Sequence, residues 1–185
     1  MDMVKEHKHF MNNLGYGSDG PYVRSEQLDN LKESEFEPIL EYMSQQDYTP
    51  HLVEGDFPGL RGVNSVDQHE KAALQAGGLF NRAKELEMPE LIHLIHKKLR
   101  AQWPLAPDVL LMVTRLVFFL PDSKVRAESV LRKSIVEDIA RRFHELVVGE
   151  GRLLSKVMRE SEEITAAVGK ALWEHPASAG RMDRE

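Results

Sequence analysis

The sequence contains no cysteine. Disulfides, thiolate metal sites and thiol nucleophiles are therefore excluded, and a reducing, intracellular setting, nucleus or cytoplasm, is expected. Basic charge is in the minority. Lys and Arg number 24 against 30 Asp and Glu, and the resulting net charge of −6 argues against nucleic acid as a default partner. Long apolar runs are also missing. The most apolar stretch, Val109 to Leu120, is too short to cross a bilayer and carries Arg115 in its middle. It reads as a buried helix, and no membrane association is expected. Met1 to Asn13 is charged and polar and lacks the apolar segment of a secretory signal. The chain has no glycine-rich phosphate loop, no H-E-x-x-H and no G-x-S-x-G.

What remains is a chain of 185 residues, 42% of them hydrophobic, enough for one domain or one domain with an extension. Its patterning is helical. Residues 1–20 are polar, with Gly15, Gly17 and Gly20 close together, and read as a flexible leader; Tyr22 to Leu31 has room for a short strand. A first helix is predicted over Ser34 to Gln45, with Ser34 and Glu37 spaced as a capping box. Its apolar face is Phe36, Ile39, Leu40 and Met43, and its solvated side is Glu35, Glu37 and Glu41. Residues 47–64 form a linker rich in proline and glycine. A second helix starts at Ser65, with Gln68 as its capping partner, and runs to about Glu87 through Gly77-Gly78. That glycine pair suggests either a kink or a close approach by another helix.

Pro89 restarts the helical pattern at a position where proline loses nothing. Phe80, Ala83, Leu86, Met88, Leu91, Leu94, Ile95 and Leu99 then make a tight helix pair with both apolar faces turned inward. Trp103-Pro104-Leu105-Ala106-Pro107 interrupts the chain before a helix over Pro107 to Leu120. Another helix is predicted over Val125 to Val148, with Leu131, Ile135, Ile139, Phe143 and Leu146 inward. Its outer face is Arg126, Arg132, Lys133, Arg141 and Arg142. After Gly149-Glu150-Gly151 comes an amphipathic helix with the stripe Leu154, Val157, Met158, Ile164, Val168 and Leu172. Residues 175–185 read as a disordered tail.

The run Leu79 to Leu99 resembles the "Y-x-x-A-D-K-Y-x-[IM]-P-x-L-x-x-[LI]" segment of BTB/POZ domains, especially those of fungal BTB proteins. Two further stretches support the resemblance. Phe36 to Tyr48 is similar to the family's "F-x-x-[IL]-L-x-Y-[LM]-Y-T-G-x-Y" element, with Ser44-Gln45-Gln46 where Tyr-Thr-Gly is usual. Leu120-Pro121-Asp122-Ser123, followed by Leu131-Arg132, is similar to "T-P-x-S-x-x-x-L-R". The family's opening β-hairpin and "v-H-k-x-x-L-x-x-x-S" helix have no convincing copy before residue 33. The chain thus resembles an N-terminally truncated or divergent BTB protein, which puts the usual homodimer in doubt.

The expected fold is mainly α, or α+β at most with a small residual sheet: a BTB/POZ-like helical body over 21–148 and a C-terminal helical extension over 149–174. The resemblance implies a non-enzymatic adaptor that binds a protein partner or itself. By family analogy the partner is a cullin-type ubiquitin-ligase scaffold or a transcription or chromatin factor. The alternative is an obligate structural subunit of a larger complex. No catalytic residue, cofactor or metal is expected. His93 and His96 sit at i, i+3 with Glu90 one turn before, but on a helix ending in Lys97-Lys98 they read as a solvated face; His7 and His9 read as exposed. The acidic cluster Glu33, Glu35, Glu37 and Glu41 likewise reads as solvated. Charge is segregated: nine acidic residues against one lysine from Glu26 to Asp56, and six basic against three acidic from Lys124 to Arg142. The residues expected to meet a partner are the stripe Leu154, Val157, Met158, Ile164, Val168 and Leu172.

Overall fold

A computed structural model describes residues 14–17, 20–23, 33–53, 55, 58–120 and 126–174; side chains are described over 36–53, 55, 58–120 and 130–174. The Ser34–Glu37 cap, the Pro121-Asp122-Ser123 turn, His7, His9 and the tail from 175 lie outside the described side chains. The protein is mainly helical. In chain order the elements are β1 Leu14–Gly17, β2 Gly20–Val23, α1 Glu33–Gln45, β3 Leu52–Val53, β4 Gly59–Leu60, α2 Val66–Glu85, α3 Pro89–Arg100, α4 Pro107–Val117, α5 Arg126–Arg141, α6 Phe143–Glu160 and α7 Glu162–Glu174. The strands form two separate antiparallel pairs, β1 with β2 and β3 with β4. Part of the segment expected to be a flexible leader is therefore a hairpin, with Leu14 opposite Val23 and Gly17 opposite Gly20.

The chain divides into two compact units, Met1–Gln102 and Trp103–Glu185. The division falls where Trp103-Pro104-Leu105-Ala106-Pro107 stops helix formation, and 149–174 lies within the second unit.

In the first unit α2 packs on α3, and α1 on α2. The capping box at Ser65 forms: its hydroxyl accepts from the Gln68 N–H at 3.3 Å, and the Gln68 side chain accepts from the Ser65 N–H at 3.1 Å. The helix then runs unbroken through Gly77-Gly78. A Cβ at Gly78 would meet nothing within 4 Å, so no neighbour requires a glycine at that position. Glu87, at φ +54°, ends α2. The Met88 N–H bonds the Ala83 carbonyl at 2.8 Å and the Glu87 N–H bonds that of Lys84 at 3.0 Å, the paired closure of a Schellman turn. Pro89 then opens α3. Phe80, Ala83, Leu86, Met88, Leu91, Ile95 and Leu99 are buried as the pattern predicts; Leu94 is half-buried, and Ile92 joins the core. On α1 the buried side chains are Ile39, Tyr42 and Met43, whereas Leu40 is 49% exposed. The tyrosine, not the leucine, completes that face.

In the second unit α4 packs on α6 and α5 on α7. The helix expected over 125–148 stops at Arg141, and the next begins at Phe143. It runs on past Gly149-Glu150-Gly151, which produce a kink at Glu150 (φ −124°, ψ 30°) rather than a break. The break falls at Ser161, whose hydroxyl accepts the Ile164 N–H at 3.3 Å and so caps α7.

Candidate interaction surface

Two polar clusters, one in each unit, determine which side chains remain available at the surface. In the first unit the loop after α1 folds against α3 through Asp47. Its Oδ1 accepts from the Lys98 ammonium at 2.6 Å and from the Tyr48 N–H at 2.7 Å, and its Oδ2 accepts from the Leu52 N–H at 3.1 Å. Lys98 also donates to the carbonyls of Tyr48 and Pro50, and its ammonium lies 3.5 Å from the Tyr48 ring centroid. Glu41 holds the same loop by accepting from the Thr49 N–H at 2.7 Å and hydroxyl at 3.1 Å. Lys98 lies in the last turn of the helix whose His93 and His96 were read as a solvated face, yet it is only 1% exposed. Its position in the series Leu91, Ile95, Lys98 is the signal that places it on the buried side.

Burial raises the Asp47 carboxyl pKa, but the hydrogen bonds from Lys98 and the backbone outweigh it and hold the group below its ordinary value. Burial pushes the Lys98 ammonium down, partly offset by Asp47. Burial also drives the Tyr48 phenol well above its usual range, with the Asp47 charge adding to the effect. The cluster fastens a loop to a helix, and water reaches it only from the Asp47 side.

In the second unit Arg132, expected on an outer face, is 4% exposed. It pairs with Glu163 of α7, donates to the carbonyls of Val117, the last residue of α4, and of Leu120 just beyond it, and lies 4.7 Å from the Phe118 ring centroid. One guanidinium thereby ties three helices and satisfies the carboxyl-terminal end of α4. Asp138, also buried, accepts from the Trp103 indole N–H at 2.8 Å. Arg142 donates to the Leu105 carbonyl at 2.6 Å, so the segment entering α4 is pinned to the end of α5.

Of the six residues expected to meet a partner, Leu154, Val157, Ile164 and Val168 are buried, and only Met158 and Leu172 are half-exposed. They also divide between two helices, the first three on α6 and the last three on α7. The stripe finds its cover inside the chain. The most exposed large apolar side chains in this unit are elsewhere: Phe119 at 76%, Val148 at 75% and Trp173 at 87%, with Val130 and Val147 less so. Two shallow grooves accompany them. One, of about 390 Å³, has Phe118, Val136, Ala167 and Ala171 as its apolar lining between α5 and α7, with Arg132, Lys133 and Lys170 facing Glu137, Glu163 and Glu174. The other, of about 360 Å³, lies along α6 beside Val147, Leu154 and Met158.

His93 is exposed and His96 half-buried, its pKa lowered by burial and by the charges of Arg100 and His93. Among the described residues no group of three or more His, Cys, Asp or Glu could hold a metal ion. No described helix is long and apolar enough to cross a membrane. The comparisons with known proteins found no match: no family model fits the sequence, and neither a curated protein nor a solved structure resembles it.

Proposed function

We propose that this protein is a non-enzymatic interaction module of BTB/POZ-like type, an adaptor that binds a protein partner or a second copy of itself. The observation that carries the reading is that the second unit buries most of its apolar stripe yet leaves Phe119, Val148 and Trp173 at least three-quarters exposed. Aromatic side chains in that state are the usual anchors of protein interfaces. The two buried charged clusters act in fastening helices and loops, and each buried charge in them has its counter-charge.

Two features support the BTB/POZ comparison. The α2–Pro89–α3 pair forms with Pro89 at the start of α3, and it buries Phe80, Ala83, Leu86, Met88 and Leu91 of the segment on which the resemblance rests. By analogy the partner classes are a cullin-type scaffold or a transcription or chromatin factor. The obligate-subunit reading drew on α4 and on the Leu154–Leu172 stripe needing cover from outside. Val109, Leu110, Leu111 and Val113 and most of that stripe are buried within the chain, so no observation favours it.

The test is affinity purification of the full chain with identification of co-purifying proteins, followed by reconstitution from purified components. A stoichiometric complex that is lost in Phe119→Ser or Trp173→Ala, with the circular dichroism unchanged, supports the reading. A complex indifferent to both changes, or none, contradicts it.

A further inference from the structure

Among the described residues, the outward face of α7 is left uncovered by its own chain. Ile164 and Val168 point inward and are buried, whereas Glu162, Ala166, Gly169 and Trp173 are all exposed. These four recur at intervals of four, three and four residues, which keeps them on one narrow face of a helix. Trp173, at 87% exposure, is the largest side chain on it. Gly169 is the second anomaly. A glycine inside a helix costs roughly 1 kcal/mol relative to alanine. Here a Cβ would meet nothing within 4 Å, so the chain's own packing does not ask for it.

We infer that this face is the contact between two copies of the chain, with α7 paired antiparallel to the α7 of a second molecule. Charge selects the occupant and the direction. The face begins with Glu162 in the acidic first turn and carries Lys170 on its flank near the other end. An antiparallel pair brings Lys170 of each copy beside Glu162 of the other, twice by symmetry. A parallel pair would oppose like charges, Glu162 to Glu162 and Lys170 to Lys170. Glu162 makes no ion pair within the chain among the described residues. Lys170 has only a long, exposed contact of 3.8 Å with Glu174, too weak to hold it back. Setting Ala166 of one copy against Gly169 of the other leaves room for close helix approach, places Trp173 over Glu162 of the facing helix, and keeps Lys170 within one turn of that glutamate. The surface complements itself, as a twofold contact requires. A pair of 13-residue helices is a small interface. The dimer is therefore reversible and depends on concentration. This inference rests on the adaptor reading and specifies one partner for it.

The experiment is sedimentation equilibrium of the full chain from low micromolar to several hundred micromolar. A monomer–dimer equilibrium is expected. Trp173→Ala should weaken it about tenfold or more, the effect of removing an aromatic anchor. Gly169→Glu should weaken it while the fold is kept and melting is equal or higher, since the site is open in the monomer and a helix-interior glycine is replaced. Glu162→Lys and Lys170→Glu should each weaken association, and the two together should restore much of it. A monomer across the whole range, or a dimer untouched by these changes, overturns the inference. If the chain stays monomeric but captures a different protein through Phe119, the inference fails while the adaptor reading stands. If neither association occurs, both fail.

Discussion

Replacing Asp47 by Asn tests the first unit at its most constrained point. The change keeps the size of the side chain and an oxygen acceptor for the Tyr48 or Leu52 N–H. It removes the hydrogen-bonded counter-charge of Lys98, which is 1% exposed and is then left with two carbonyls and the more distant charge of Glu41. Stranding a buried charge in this way costs about 3–5 kcal/mol. Asp47 keeps 24% of its side chain exposed, so water reaches the cluster from one side, and the loss should lie near the lower end, about 3 kcal/mol. That is a large share of the ~5–15 kcal/mol by which domains are usually stable. Lys98→Met should cost less, about 1–2 kcal/mol, because Asp47 retains backbone donors and solvent. The double variant should lose clearly less than the sum, with a coupling of about 2 kcal/mol. Urea unfolding followed by circular dichroism measures the stabilities, and hydrogen exchange at the α3 amides locates the effect. A loss below about 0.5 kcal/mol for Asp47→Asn, or strict additivity in the double variant, would refute the reasoning.

The other predictions follow from single features. Leu91 is fully buried where α3 meets α2, and Leu91→Ala should lower stability by about 2–5 kcal/mol; an unchanged urea midpoint would contradict the helix-pair packing. Glu87 holds a left-handed conformation that glycine adopts without strain, so Glu87→Gly should stabilise by about 0.5–1 kcal/mol, read as a higher melting temperature. The Asp47 carboxyl titrates below its ordinary value of 3.8 when folded. Its stabilising contribution is complete above that value and lost as the pH falls through the lower folded one. The acid limb of the stability profile should accordingly be shallower in Asp47→Asn than in the wild type, and parallel limbs would contradict the assignment.

Helices were legible wherever periodicity and capping residues acted together. Ser65 with Gln68, and Pro89 after Met88, set the α2–α3 pair correctly because both signals are local. The misplaced features were those in which a local signal competed with a tertiary one. Gly149 and Gly151 looked like a break, but a helix continues through them with a kink at Glu150, while the interruption falls at Ser161, followed by two glutamates in the manner of a helix start. Arg132 was assigned to an outer face because its side chain is charged, and no reading placed Lys98 in the interior. Only the fold brings Asp47 and Glu163 within reach of them, and no spacing along the chain announces partners so distant in sequence. The proposed contact surface was misread for the same reason. The apolar stripe on α6 and α7 was visible, yet what remains for a partner is the opposite face, visible only once the stripe is seen to be filled.

The central claim is that the exposed apolar side chains of the second unit exist to meet another protein chain. The most direct measurement is the recovery of bound protein, including tagged copies of the chain itself, by the wild type and by a Phe119→Ser/Trp173→Ala variant under identical conditions. The account predicts a stoichiometric protein partner on the wild type and its loss from a variant that folds and melts like the wild type. Equal recovery by both would show that these side chains serve no interface.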